Sequence, residues 1–227
     1  MRITQVTAEV RAVAEVAEFY RSVLGLPVDR RGGNTVDVTI GATTMQFVEN
    51  PGSVTDHHFA MTVPSNKFAQ AKNWLAERTA LLSTDEGDEF ECSPSWNARS
   101  VYFDGPDRSV LELIVRRDLP NQTSGTFTGA DLLAVSEVGV ATPDVTRQVA
   151  LLAEAGILPY GVEPGIDFAP VGDIEGMLIV VTSGRTWFPR SDRVAVVSPL
   201  SLVAESHVAG TVSLAGESGS LKLISAP

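Results

Sequence analysis

The 227-residue chain of 24.1 kDa is 44% apolar and 20% charged, which excludes disorder and suffices to bury the core of one or two domains. No apolar run reaches the roughly 18 residues of a membrane span, and Met1-Arg2-Ile3-Thr4-Gln5-Val6 alternates rather than forming a leader, so a cytoplasmic protein without a membrane partner is expected. A net charge of −11 repels phosphate backbones and argues against nucleic acid, while a single cysteine, Cys92, excludes intrachain disulfides and multi-cysteine metal sites.

In chain order, residues 5–10 alternate as a strand, and Val13, Val16, Ala17, Tyr20 and Leu24 then fall at helical spacing until Gly25 and Pro27 close the run. Extended runs follow at 26–30, 35–40 and 43–48, parted by Gly32-Gly33-Asn34 and Gly41. This is a β-α-β-β-β unit. The order restarts with a strand at 58–63, a helix carrying Phe68, Ala71 and Leu75, and extended runs at 80–84, 99–103 and 110–115. It begins a third time after the polar linker 120–129. There a strand at 137–141 leads to a helix with Val145, Val149 and Leu152 on one stripe, capped by Gly156, and to runs at 168–171 and 176–181. From first to last strand the units span 41 residues (Gln5 to Gln46), 54 (His58 to Glu112) and 42 (Glu137 to Ile179), the second lengthened by the acidic insert 85–96. One helix backing a small sheet leaves the other face bare, so each unit needs a partner.

Two polar residues interrupt apolar strands: Gln46 in Met45-Gln46-Phe47-Val48 and Glu112 in Val110-Leu111-Glu112-Leu113. A carboxylate at such a position is costly to bury unless it is paired or coordinated. The stretch Glu18-Phe19-Tyr20-Arg21-Ser22-Val23-Leu24-Gly25-Leu26 resembles the "FYxxvLG" helix end of the vicinal oxygen chelate superfamily, which holds glyoxalase I, extradiol dioxygenases and fosfomycin- and bleomycin-resistance proteins. Residues 101–113 are similar to that family's "yfxDPdGNxxEl" hairpin and depart from it at Gly105, Arg108 and Ser109. The paired resemblance covers about residues 1–118; the third unit shares only element order and spacing.

The resemblance implies an α+β fold of repeated βαβββ modules. Two modules over 1–118 pair into a cup-shaped mixed sheet, and a third, with a C-terminal tail, follows over 130–227. The open face of the third is then covered by a second chain, giving a homodimer, or by the C-terminal strands. Family ligands come from the first and last strand of each module, here Gln5, Gln46, His58 and Glu112. The implied metal set is His58, Glu112 and Gln5 around Zn, Ni, Mn or Fe, with Glu112 as the catalytic base. Gln46, Glu9, Arg99 and Tyr102 are then candidates for substrate contact. One imidazole falls short of the facial triad of a ferrous oxygenase, which disfavours dioxygenase chemistry. No glycine-rich phosphate loop points to a nucleotide cofactor.

Two functions stay open: a metal-dependent lyase or isomerase acting on a small oxygenated substrate, and a metal-free small-molecule binding module of the bleomycin-resistance kind. The His58/Glu112 pair favours the first, the two glutamines the second. In the third unit Glu137 is matched by Ile179, so no metal is expected there. Arg99 is set against the duller role of pairing with the acidic insert. The run Trp187-Phe188-Pro189-Arg190 is read as an anchor or lid, and the Cys92 thiol as inert.

Overall fold

The computed structural model describes residues 1–54 and 56–226. The first unit comprises β1 (Arg2–Val10), α1 (Val13–Ser22), β2 (Val28–Arg30), β3 (Thr35–Ile40) and β4 (Thr43–Glu49). The second comprises β5 (His58–Val63), α2 (Phe68–Ala76), β6 (Leu81–Leu82), β7 (Phe90–Glu91), β8 (Ala98–Asp104) and β9 (Val110–Arg116). The third comprises β10 (Ala134–Thr142), α3 (Val145–Glu154), β11 (Phe168–Asp173) and β12 (Gly176–Thr182). Its edge strand, the one directly after α3, is reduced to an isolated bridge between Pro159 and Val171 of β11. The tail forms β13 (Leu200–Ser206), β14 (Gly210–Leu214) and β15 (Gly219–Ser225).

Local chemistry explains the helices. On α1 the residues Val13, Val16, Ala17 and Tyr20 are buried, with Glu15 in the first turn and Arg21 in the last, the charge order that suits the helix dipole. Gly25 then takes a left-handed φ of 64° beyond its end. The Asp144 carboxylate caps α3 by accepting from the Arg147 amide at 2.9 Å.

The α+β class and the repeated modules are as the sequence predicts, but the partners differ. Sheet one runs β14-β15-β13-β1-β4-β3-β2, and sheet two runs β11-β12-β10-β5-β9-β8-β6, with β7 also on β8. The second unit therefore pairs with the third, through antiparallel β5 and β10. The first unit pairs with the tail, through antiparallel β1 and β13. The cup expected within 1–118 is thus divided between two sheets. The tail is a fourth module that keeps the parallel β13–β15 and antiparallel β14–β15 pattern and replaces the helix with residues 207–209. Within the chain, the third unit is partnered by the second rather than by the C-terminal strands, which serve the first unit instead.

The backs of the sheets share one core. It includes Val6 and Ala8 of β1, Val138 and Val140 of β10, and Leu202 of β13. Helix α1 bridges the sheets, its Tyr20 stacking on Phe47 (5.5 Å) and its Phe19 on Phe103 (6.5 Å). At the seam the Thr43 hydroxyl donates to the Ile3 carbonyl (2.7 Å) and accepts from the Val135 amide (3.0 Å). Gly41 beside it has a φ of 52°, and a Cβ there would stand 2.0 Å from the Leu133 carbonyl oxygen, so only glycine fits. With the backs joined, the fronts are left for chemistry.

Candidate functional site

In sheet two, β5 lies between β9 and β10, and Ala60 is opposite Glu112 on one side and Glu137 on the other. A side chain no larger than a methyl at this central position leaves the two carboxylates room to approach. His58, two residues along β5, points to the same face. Where β10 meets β5 the register slips between Val135 and Glu137, a bulge that re-aims the Glu137 side chain. The result is that one ligand atom each from His58, Glu112 and Glu137 lies within 4.8 Å of the others, in a fully buried group.

Hydrogen bonding fixes the imidazole tautomer. His58 Nδ1 is 3.1 Å from the Val110 carbonyl oxygen, which only accepts, so Nδ1 carries the proton. The Nε2 lone pair then faces the Glu112 Oε2 at 3.5 Å. Burial pushes the His58 pKa down to about 4, so the ring is neutral. Burial, reinforced by the neighbouring Glu137 charge, raises the Glu112 carboxyl well above the usual carboxylate range against the pull of Ser100, Arg116 and Tyr102. Glu137 is also raised by burial, but the Arg116 guanidinium opposes the shift. Arg116 is completely buried; its Nη2 donates to Glu137 Oε1 and its guanidinium lies 5.5 Å from the Trp96 ring centroid. Burial likewise pushes the Cys92 thiol up to about 12, which agrees with its expected inertness.

An aromatic shell closes the cup. Trp187 stacks on His58 (5.2 Å between centroids), and Phe188 meets Tyr102 edge-on at 5.4 Å. They bound an inner cavity of about 130 Å³ beside the three ligand groups. Cys92, Trp96, Tyr102, Phe168 and Phe188 also line an outer basin of about 580 Å³, rimmed by Glu86, Glu89 and Glu91.

The structure therefore brings His58, Glu112 and Tyr102 together and removes the other candidates. Gln5 and Gln46 belong to sheet one, where Gln5 Nε2 is 3.4 Å from the Thr7 hydroxyl and Gln46 Nε2 donates to Asp37 (3.1 Å). Gln5 is thus no ligand of the His58 centre, because its strand joins the tail rather than β5. Glu9, on the same strand, accepts from the Asn50 side chain at 2.8 Å. Arg99 is on the opposite face of β8 from Tyr102; it covers the Phe68 ring of α2 (5.8 Å) and pairs with Glu91 and Glu89 of the acidic insert. In sheet one the registry-equivalent positions hold Gln5, Gln46, Ser201 and Lys222, which offer neither carboxylate nor imidazole.

Two site residues escape the sequence reading. Glu137 was expected to hold no metal because its partner position is Ile179, yet the fourth position is not needed for convergence. The signal was the one used for Glu112, a carboxylate amid the apolar run of β10. Arg116 is the charged residue ending the apolar β9, at even spacing from Glu112 and so on its face.

The donor set fits a divalent cation: one neutral imidazole with its Nδ1–H anchored on a carbonyl, as ligating histidines are held, and two carboxylates. The fourth equivalent position, Ile179, lines the cavity without donating. Arg116 lowers the net negative charge of the group by one.

No protein-family profile matches the sequence, and no curated protein matches it. Among solved structures, the chain is similar to a "putative dioxygenase" from Bacillus subtilis, with 19% identity and a TM-score of 0.62 over 98% of this chain and 85% of that one. It is also similar to glyoxalase I from Zea mays, with 12% identity and a TM-score of 0.55 over 99% and 92%. A V278E mutant of the Zea mays enzyme gives 12% and 0.57 over the same shares. Identities this low speak for fold. No helix among the described residues is long and apolar enough to cross a membrane.

Proposed function

We propose that this chain, which has the vicinal oxygen chelate fold, is a divalent-metal-dependent lyase or isomerase of the glyoxalase type acting on a small oxygenated substrate. The observation that carries the proposal is the tautomer of His58: its Nδ1–H is spent on Val110, leaving the Nε2 lone pair directed at Glu112 with Glu137 alongside. Zn, Ni, Mn or Fe would be held by His58, Glu112 and Glu137, and when bound would polarise a substrate oxygen. The Glu112 carboxyl, whose Oε2 faces His58, takes up and returns the proton that such a reaction moves. Arg116, whose Nη2 donates to Glu137, opposes the burial that raises the Glu137 carboxyl beside it. Trp187 and Tyr102 exclude water from the acid, which strengthens every charge inside the cup.

A specific observation favours a second function, metal-free binding of a small molecule. The Arg116 guanidinium already neutralises Glu137, so the group has a charge partner without an ion. Cobalt(II) titration of untagged, metal-stripped protein separates the two. The metal-dependent function requires about one ion per chain, with visible absorption from a low-symmetry site, and loss of that binding in a His58→Ala/Glu112→Gln double variant. Equal cobalt uptake by wild type and double variant would overturn it.

A further inference from the structure

Trp187 reaches the cup from outside both sheets. Residues 183–195 fold back on themselves, with the Trp187 amide on the Arg193 carbonyl (2.8 Å) and the Gly184 amide on the Ala195 carbonyl (2.8 Å). The Asp56 carboxylate pins this hairpin. It accepts from the Val194 amide (2.9 Å) and is held in turn by Arg108 Nε (2.8 Å) and Nη2 (3.1 Å). The indole Nε1–H donates to the Asp56 carbonyl at 2.7 Å, so the edge of the ring is fixed as well as its face on His58.

The floor of the cup is cut to receive it. Gly139 of β10, two residues beyond Glu137 and on the same face, would carry a Cβ only 2.6 Å from the indole Cη2. Its φ is not positive, so the backbone does not call for glycine there; the room does. Ring, latch and missing side chain agree on one placement. Taking the cup as a ligand site, as proposed above, we infer that Trp187 is its specificity-determining wall. It fills the part of the cup floor that a larger ligand would need beside His58 and leaves about 130 Å³ there. A dry cavity of about 150 Å³ holds one benzene. The occupant is therefore a compact molecule of about one ring, its apolar body against Trp187, Ile179 and Val181 and its oxygen-bearing end toward His58 and Glu112.

The test uses the full chain, with phenol and 2-naphthol as probes in calorimetric titrations. Wild type binds phenol at least tenfold more tightly than 2-naphthol. Trp187→Ala reverses the order, and Trp187→Phe stays near wild type. Circular dichroism checks folding, and should Trp187→Ala fail to fold, Gly139→Ala, which drives the indole off the floor, carries the same reversal. An unchanged order in the folded variant, or a wild type that binds 2-naphthol as well as phenol or binds neither, would overturn the inference. Cobalt(II) absorption on the same proteins keeps the two ideas apart. Cobalt retained with unchanged probe order removes the wall alone; cobalt absent with a reversed order removes the metal alone.

Discussion

Replacing Arg116 with Met tests the charge arrangement of the cup most directly. Arg116 is 0% exposed and Glu137 3%, and the guanidinium is the counter-charge in contact with that carboxylate. Met keeps the unbranched apolar stem and removes the guanidinium charge, leaving Glu137 in apolar surroundings with Glu112 as a second acid nearby. Breaking a buried pair from one side costs about 3–5 kcal/mol. With a urea m-value of about 3 kcal/mol/M for a chain of this size, the midpoint falls by about 1–1.7 M. The loss shrinks on acidification, because an orphaned Glu137 has a raised pKa in the fold and holds a proton that the unfolded chain releases. Adding Glu137→Leu removes the stranded charge, so the double variant recovers most of the stability, since an apolar replacement of a buried pair is often neutral or better. Urea unfolding followed by circular dichroism at several pH values reads all three quantities. A single variant within about 0.5 kcal/mol of wild type, or a double variant that loses the sum of the two singles, would refute the reasoning.

The His58/Glu112 pair should show opposed pH dependences that wild type conceals. His58, depressed to about 4 from 6.5, excludes a proton from the fold, so its contribution is lost as pH falls from 6.5 towards 4. Glu112, raised, retains a proton in the fold, so its contribution is lost as pH rises above 4.5. The slopes offset one another between about pH 4.5 and 6.5 in the metal-free protein. Glu112→Gln exposes a loss of stability on acidification, on the order of 3 kcal/mol by pH 4, and His58→Gln exposes a loss on alkalinisation. Parallel pH–stability curves for both variants would contradict the assignment. A divalent ion takes Glu112 as carboxylate whereas burial favours its protonated form, so cobalt(II) titrations at pH 7 in buffers of different ionisation enthalpy should report proton release on binding. Zero release would show that Glu112 is already ionised.

Much of the architecture was legible because it is written locally. Gly25 and Pro27 stop α1, Gly41 turns β3 into β4, and apolar spacing fixes the helix faces. Even the helix-less fourth module carries a strand pattern in Leu200, Leu202 and Ala204, with Val212 and Leu214, then Leu221 and Leu223, all buried on one face. Partner choice was not legible, since alternation shows which face is buried but not which strand lies alongside. His58 and Glu112 belong to the first and last strands of one module, so intramodular register alone joined them. Gln5 was tied to them only by an assumption about neighbours, and Glu137 was passed over because Ile179 looked disqualifying. Arg99 failed for a simpler reason: it is odd in register to Tyr102 and faces α2.

Sheet one has one further consequence, for the order in which the chain reaches its final form. Every ladder of sheet two is made from residues between His58 and Thr182, whereas the β1–β13 seam joins positions as distant as Arg2 and Glu205, 203 residues apart. Such a seam has high contact order and is slow to close. During synthesis β1 keeps a bare hydrogen-bonding edge until the last strands leave the ribosome, so a chain stopped near residue 196 would expose that edge to other chains and aggregate.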